Sequence, residues 1–326
     1  HTQKNRLMDT VAVVEEPKAE QPSEDSNSAH TLSTKIISDS LSKLGQTSNG
    51  LNFAYTKASL SNLNLKDIDA ISATVHLEEL YLDNNQLVQL SAMKTLKNLV
   101  TLDVSRNKLD TILDLGGLIP MNLEFVNFSD NRIDAINDLS PFKCLRSLRL
   151  DGNNISKIEG ISNLKVLKVL SLKKNNLTKI EGLGQLSIRE LYLSHNKITS
   201  LKGIEDIKGT LEILDMQDNL TNNCSPIETL TKLRVLNLAD NQITDMSQSV
   251  YLLKIKALSE LSITGNMICD HNPDYFRITM LYRIPQLTKL NDKEVSAKEI
   301  VKAQNAHGAD EQMRADVYKK YFSEIQ

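Results

Sequence analysis

Leucine and isoleucine recur along most of the chain in one spacing, L-x-x-L-x-L-x-x-N-x-L, with mainly polar residues between them. The pattern starts at Leu77 and again at Leu99, Leu123, Leu145, Leu167, Ile188, Leu211, Leu233 and Leu258, at intervals of 21 to 25 residues. Two copies five units apart are nearly identical: ELYLDNNQL at 79–87 and ELYLSHNKI at 190–198. Around Leu80 and Leu82 the apolar–polar alternation predicts a short strand with its leucines turned inward. A single such unit cannot bury that apolar face alone, so stacked neighbours must share one core.

The repeat therefore predicts an α/β leucine-rich-repeat solenoid, with a curved parallel β-sheet on the concave side and short helices or turns on the convex side. The expected organisation is an acidic tail over 1–30, a helical cap over 31–58, the solenoid over 59–271, a closing cap over 272–293 and a helical tail over 294–326. The first cap rests on Ile37, Leu41 and Leu44 at helical spacing, followed by a degenerate unit at 59–68. The tail after the closing cap is expected to project from the solenoid end.

One column is polar yet invariant in place: Asn85, Asn107, Asn131, Asn153, Asn175, Asn196, Asn219, Asn241 and Asn266. A short amide can satisfy backbone donors and acceptors where the chain turns out of a strand, so these are expected to be structural. The seventh unit departs from the rule, with Met216 in a leucine place, Thr221 after Asn219 and Cys224 in the next apolar position. It admits either tolerated core variation or a local kink. Gly160, Gly182 and Gly203 share one register and predict a turn on the convex side.

Composition narrows the chemistry. Aromatic residues make up 4% of the 326 residues and tryptophan is absent, so the core must be aliphatic. No apolar run reaches the roughly 18 residues of a membrane span, and no secretory signal opens the chain, which predicts a soluble intracellular protein. Three cysteines without a CxxC pair argue against a disulfide framework. The six histidines are scattered, and phosphate-binding, nucleophile-elbow and EF-hand motifs are missing. The expectation is a non-enzymatic protein with no cofactor, no metal and no small-molecule substrate.

Charge is uneven along the chain. Residues 143–202 hold twelve Lys and Arg against four Asp and Glu, whereas 203–247 hold three against eight. The candidate protein-binding surface is the concave face, where Arg146, Arg149, Lys168, Lys173, Lys174 and Arg189 are flanked by Tyr81, Phe125, Tyr192 and Ile213. Such a face suits an acidic segment of a partner protein. Nucleic acid fits less well, because the isoelectric point is near 6.1 and aromatic residues are not interleaved with the charges.

Two resemblances follow from quoted segments. LKVLSLKKNNLTKIEGL at 167–183 resembles the intracellular leucine-rich-repeat class named for a protein phosphatase-1 regulatory subunit, which implies a signalling adaptor as one reading. SLSKLGQTSNGLNFAYTKASLSNLNLKDIDAI at 40–71, with the repeat count and the long final tail, resembles the family of leucine-rich repeat-containing protein 23, ciliary proteins of the radial spokes. That resemblance implies a scaffold of the axoneme of cilia and flagella, within the third spoke, whose partners are other axonemal proteins and neither nucleic acid nor membrane. It implies no catalytic or cofactor residues.

Overall fold

The computed structural model describes residues 30–47, 52–115, 119–270 and 273–307. The acidic tail before His30, residues 48–51 of the quoted 40–71 segment, and the part of the expected helical tail beyond His307 lie outside the described residues.

Each leucine-rich unit contributes one three-residue strand, from Glu79–Tyr81 in the first to Glu260–Ser262 in the ninth. All nine pair in parallel and in register, Leu80 opposite Leu102 and so on to Leu236 opposite Leu261. Among the described residues they belong to a 13-stranded sheet. The central residue of each strand is buried while its two neighbours are at least partly exposed, Ser171 excepted, which is the alternation of a half-buried strand. Chain returns between strands run through turns and short 3-10 segments such as Ile204–Ile207 and Ser225–Thr229. Strands stack at roughly 4.8 Å, closer than these bulkier returns allow, so the array bends toward its sheet.

The asparagine column locks each unit to the one before it. Every one of the nine is buried. Each Oδ1 accepts a backbone N–H of the preceding unit, as Asn153 does from Ile133 at 3.0 Å. Each Nδ2 donates to a carbonyl of that same unit, as Asn153 does to Phe128 at 3.0 Å. The glycine register works by close approach: Gly182 has φ +72, and a Cβ there would stand 2.2 Å from the Ile158 carbonyl oxygen. Gly160 and Gly203 meet the carbonyls of Asn137 and Ile180 at the same 2.2 Å.

The seventh unit carries no kink. Its strand keeps register on both sides, and Met216 and Cys224 are buried in leucine places. Thr221 is tolerated because its hydroxyl donates to the Ile198 carbonyl at 3.3 Å. Burial alone pushes the Cys224 thiol up to about 12, so it acts as a small apolar residue.

The N-terminal cap differs from the expected helix, and the segment after the closing cap differs from the expected projection. At the N-terminal end helix covers only Thr34–Ser40, with Ser33 capping the Ile36 N–H. Leu41–Gln46 and Phe53–Ser59 instead form an antiparallel hairpin, and Lys57, Ala58 and Ser59 join the parallel ladder opposite Glu79, Leu80 and Tyr81. Pairing to an open sheet edge outweighs the local helical spacing, and Ala58 takes the core place of a leucine. At the other end, Pro273–Arg283 is helical and Lys289–Leu290 adds a final parallel rung. The next helix, Ala297–His307, does not project. It packs on Pro273–Arg283, burying Ile300 and Ala303.

A clamp explains that return. Arg277 donates to Glu299 at 2.7 Å and to the carbonyls of Leu290 and Glu294 at 2.9 and 3.0 Å. Ser296 and Glu299 cap the helix reciprocally, each side chain receiving the other's backbone N–H.

Candidate functional site: the concave face

Strand alternation sends the first and third residue of every strand onto the concave face, where the columns of neighbouring units touch. Two clusters repeat five units apart. In the first, Lys57 Nζ sits 4.6 Å over the Tyr81 ring, Tyr81 Oη donates to Glu79 at 3.4 Å, and Asn127 Nδ2 donates to Asp103 at 3.0 Å. In the second, Lys173 Nζ sits 4.6 Å over the Tyr192 ring, Tyr192 Oη donates to Glu190 at 2.9 Å, and Asn237 Nδ2 donates to Asp215 at 3.0 Å. The twin segments ELYLDNNQL and ELYLSHNKI thus build twin surface networks.

Electrostatics follow from these contacts. Burial, then the bond to Glu190, pushes the Tyr192 hydroxyl up to about 12, so it stays a neutral donor. Lys43 of the hairpin lies 2.6 Å from Glu79, which holds that carboxyl below the usual range. Phe125, on the strand of Asn127, is 45% exposed, while Ile213 and Val169 are half-buried. Leu44, Phe53 and Tyr55 of the hairpin are also exposed, with Leu44 directly opposite Tyr55.

The six basic residues expected on this face fall in three places. Arg149 stands on the sheet, exposed, with no ion pair among the described residues. Lys173 follows its strand and pairs with Asp215 at 3.1 Å, and Lys174 occupies the exposed rim with φ 52. Arg146, Lys168 and Arg189 precede their strands, on the flank where the chain rises from the convex side. Arg146 pairs there with Glu124 at 2.9 Å and Arg189 with Glu212 at 3.7 Å, while Lys168 Nζ reaches the Ser187 carbonyl in the next turn at 3.3 Å. The structure therefore gathers Arg149, Lys173 and Tyr192 together and sets the other three along one edge.

Lys57 escaped the sequence pattern because Ala58, not leucine, marks its strand. The Asp–Asn links were legible only as neighbouring letters in a column. His195 lies on the exposed rim, with Nδ1 2.8 Å from Asp218. Among the described residues no group of three or more His, Cys, Asp and Glu is placed to hold a metal, and no helix is long and apolar enough to cross a membrane.

The leucine-rich-repeat sequence profile matches residues 229–245. Leucine-rich repeat-containing protein 23 of Bos taurus is 32% identical over 289 residues, which cover 82% of this chain and 77% of that protein. The Homo sapiens protein is 32% identical over 237 residues, covering 66% and 69%. The chain belongs to the family of leucine-rich repeat-containing protein 23. Beyond that family, cilia- and flagella-associated protein 410 of Mus musculus is 25% identical over 117 residues, 36% of this chain and 47% of that one. Among solved structures, a leucine-rich-repeat protein of Leptospira interrogans superposes with a TM-score of 0.62 at 27% identity, covering 72% of this chain and 60% of that one. The fold is therefore common to distant proteins, whereas the alignment with leucine-rich repeat-containing protein 23 extends through most of the chain.

Proposed function

We propose that the chain is a non-enzymatic scaffold of the ciliary axoneme, a radial-spoke subunit, within the third spoke, that holds neighbouring spoke proteins on its solenoid surface. The observation that carries this reading is the 289-residue alignment with leucine-rich repeat-containing protein 23, too long to come from a few generic repeats. The similarity to a second protein named for cilia and flagella supports it. An unbroken ladder of stacked units also suits a part that must keep its shape under load.

The concave cluster around Arg149, Lys173, Tyr192 and Phe125 is the surface assigned to a partner's acidic segment. Detergent extraction of cilia followed by cross-linking mass spectrometry tests both claims. The chain is expected to stay with the axoneme and to cross-link through Lys173 and Lys174 to spoke proteins. Recovery in the detergent-soluble fraction with a phosphatase catalytic subunit would instead make it a signalling adaptor.

A further inference from the structure

Basic side chains in the units from Leu145 to Leu258 lie on several faces, including the rim and the convex side, but one flank holds them almost without acidic neighbours. On the strands themselves, the outward positions carry one basic residue, Arg149, against Glu190, Asp215 and Glu260. The rising flank is different. In the turn just before the first leucine stand Lys143, Lys165, Lys208, Lys232 and Lys256, all exposed. Just after that leucine stand Arg146, Lys168, Arg189 and Arg234. Within the three residues before that leucine and the one after it, the sole acidic residue in these six units is Glu212.

The segment 203–247 makes the point most sharply, because it is acidic overall yet places all three of its basic residues, Lys208, Lys232 and Arg234, on this flank. Seven of its eight acidic residues lie elsewhere. Lys168 reaching the Ser187 carbonyl joins the two columns into one surface. Lys143, Lys208, Lys232 and Lys256 form no ion pair among the described residues.

We propose that this flank is a binding track for an extended, glutamate- or aspartate-rich segment of a partner protein. The parallel register brings at least one of these charges to each rung, no closer than the strand spacing of roughly 4.8 Å, so the five steps from Lys143 to Lys256 span at least about 24 Å, the length of about seven extended residues. That spacing is shorter than the Debye length of about 8 Å at physiological salt, so adjacent cations repel one another and an aligned anionic chain relieves all of them together. A protein segment fits better than a nucleic acid because no exposed aromatic side chain on the flank offers a base a stacking surface. The proposal rests on the chain being a binding scaffold and not on where in the cell it works.

The test uses the purified full chain and a fluorescein-labelled twelve-residue peptide of alternating glutamate and glycine, titrated by anisotropy. Wild type is expected to bind with affinity that falls at least tenfold between 50 and 200 mM salt. The triple variant Lys143→Glu, Lys232→Glu, Lys256→Glu is expected to lose at least tenfold at low salt, and the milder Lys→Gln triple several-fold. A convex-side variant with the same charge change, Lys157→Glu, Lys179→Glu, Lys202→Glu, is expected to bind within about threefold of wild type. Equal losses in the flank and convex variants would overturn the track, since binding would then follow net charge alone. A larger loss from Arg149→Glu with Lys174→Glu would move the site to the concave face, and tighter binding of a twelve-nucleotide single-stranded RNA through the same lysines would replace the partner class. Because peptide and protein are both pure, the result does not depend on whether the chain is recovered with axonemes.

Discussion

Asn153 belongs to two units at once: its amide joins the carbonyls of Phe128 and Leu150, and its oxygen takes the N–H of Ile133. Alanine there would leave buried backbone groups unpaired, at about 1–3 kcal/mol for each group that water cannot reach. Asn153→Ala is therefore expected to lower the unfolding free energy by about 2–4 kcal/mol in urea titration. A loss under about 0.5 kcal/mol would mean that relaxation or water replaces these bonds. The role of this column was legible because the same residue recurs at the same offset, which chance does not sustain. The tyrosine–lysine contacts were not legible, because Lys57 and Lys173 reach Tyr81 and Tyr192 from different positions within their units.

At the scale of an element, the closing cap adds a charge pair to its buried leucines. The hydrogen bond from Arg277, aided by the Ser296 cap, holds the Glu299 carboxyl down to about 2. A carboxyl whose pKa is depressed on folding stabilises the fold above its unfolded value, about 4.3, and loses that contribution as pH falls toward the folded value. Wild type is thus expected to melt higher than Glu299→Gln by a constant margin down to about pH 5, with the margin shrinking between pH 4.3 and 2. An unchanged margin at pH 2 in calorimetry would place the effect in packing instead. The N-terminal hairpin teaches the converse lesson. Ile37, Leu41 and Leu44 have helical spacing, but only residues up to Ser40 are helical, because the strands that follow gain a ladder that a helix would leave uncovered.

Across the whole molecule, stability accumulates from neighbour to neighbour. Units in the middle, such as those of Leu170 and Leu191, are covered on both sides, while the terminal rungs Lys57–Ser59 and Lys289–Leu290 lean on a hairpin and a short return strand. Amide hydrogen exchange is expected to be slowest in the strands from Ser147 to Asp215 and to quicken toward both ends. Uniform protection from the hairpin to Ala297–His307 would show one cooperative unit instead. The same stacking lines up single exposed residues from successive units, so a surface that looks scattered in sequence becomes a continuous stripe.

The sequence by itself determined the solenoid, its units, the asparagine column and the family, because each depends on a local spacing repeated many times. Tertiary structure decided what repetition leaves open. It kept the expected N-terminal helix only over Thr34–Ser40 and made a hairpin of the rest, folded Ala297–His307 back onto the cap, and divided the basic residues between concave face and rising flank. Those outcomes depend on which groups meet across units, about 22 residues apart in the chain but one strand spacing apart in space, and no local pattern encodes that proximity.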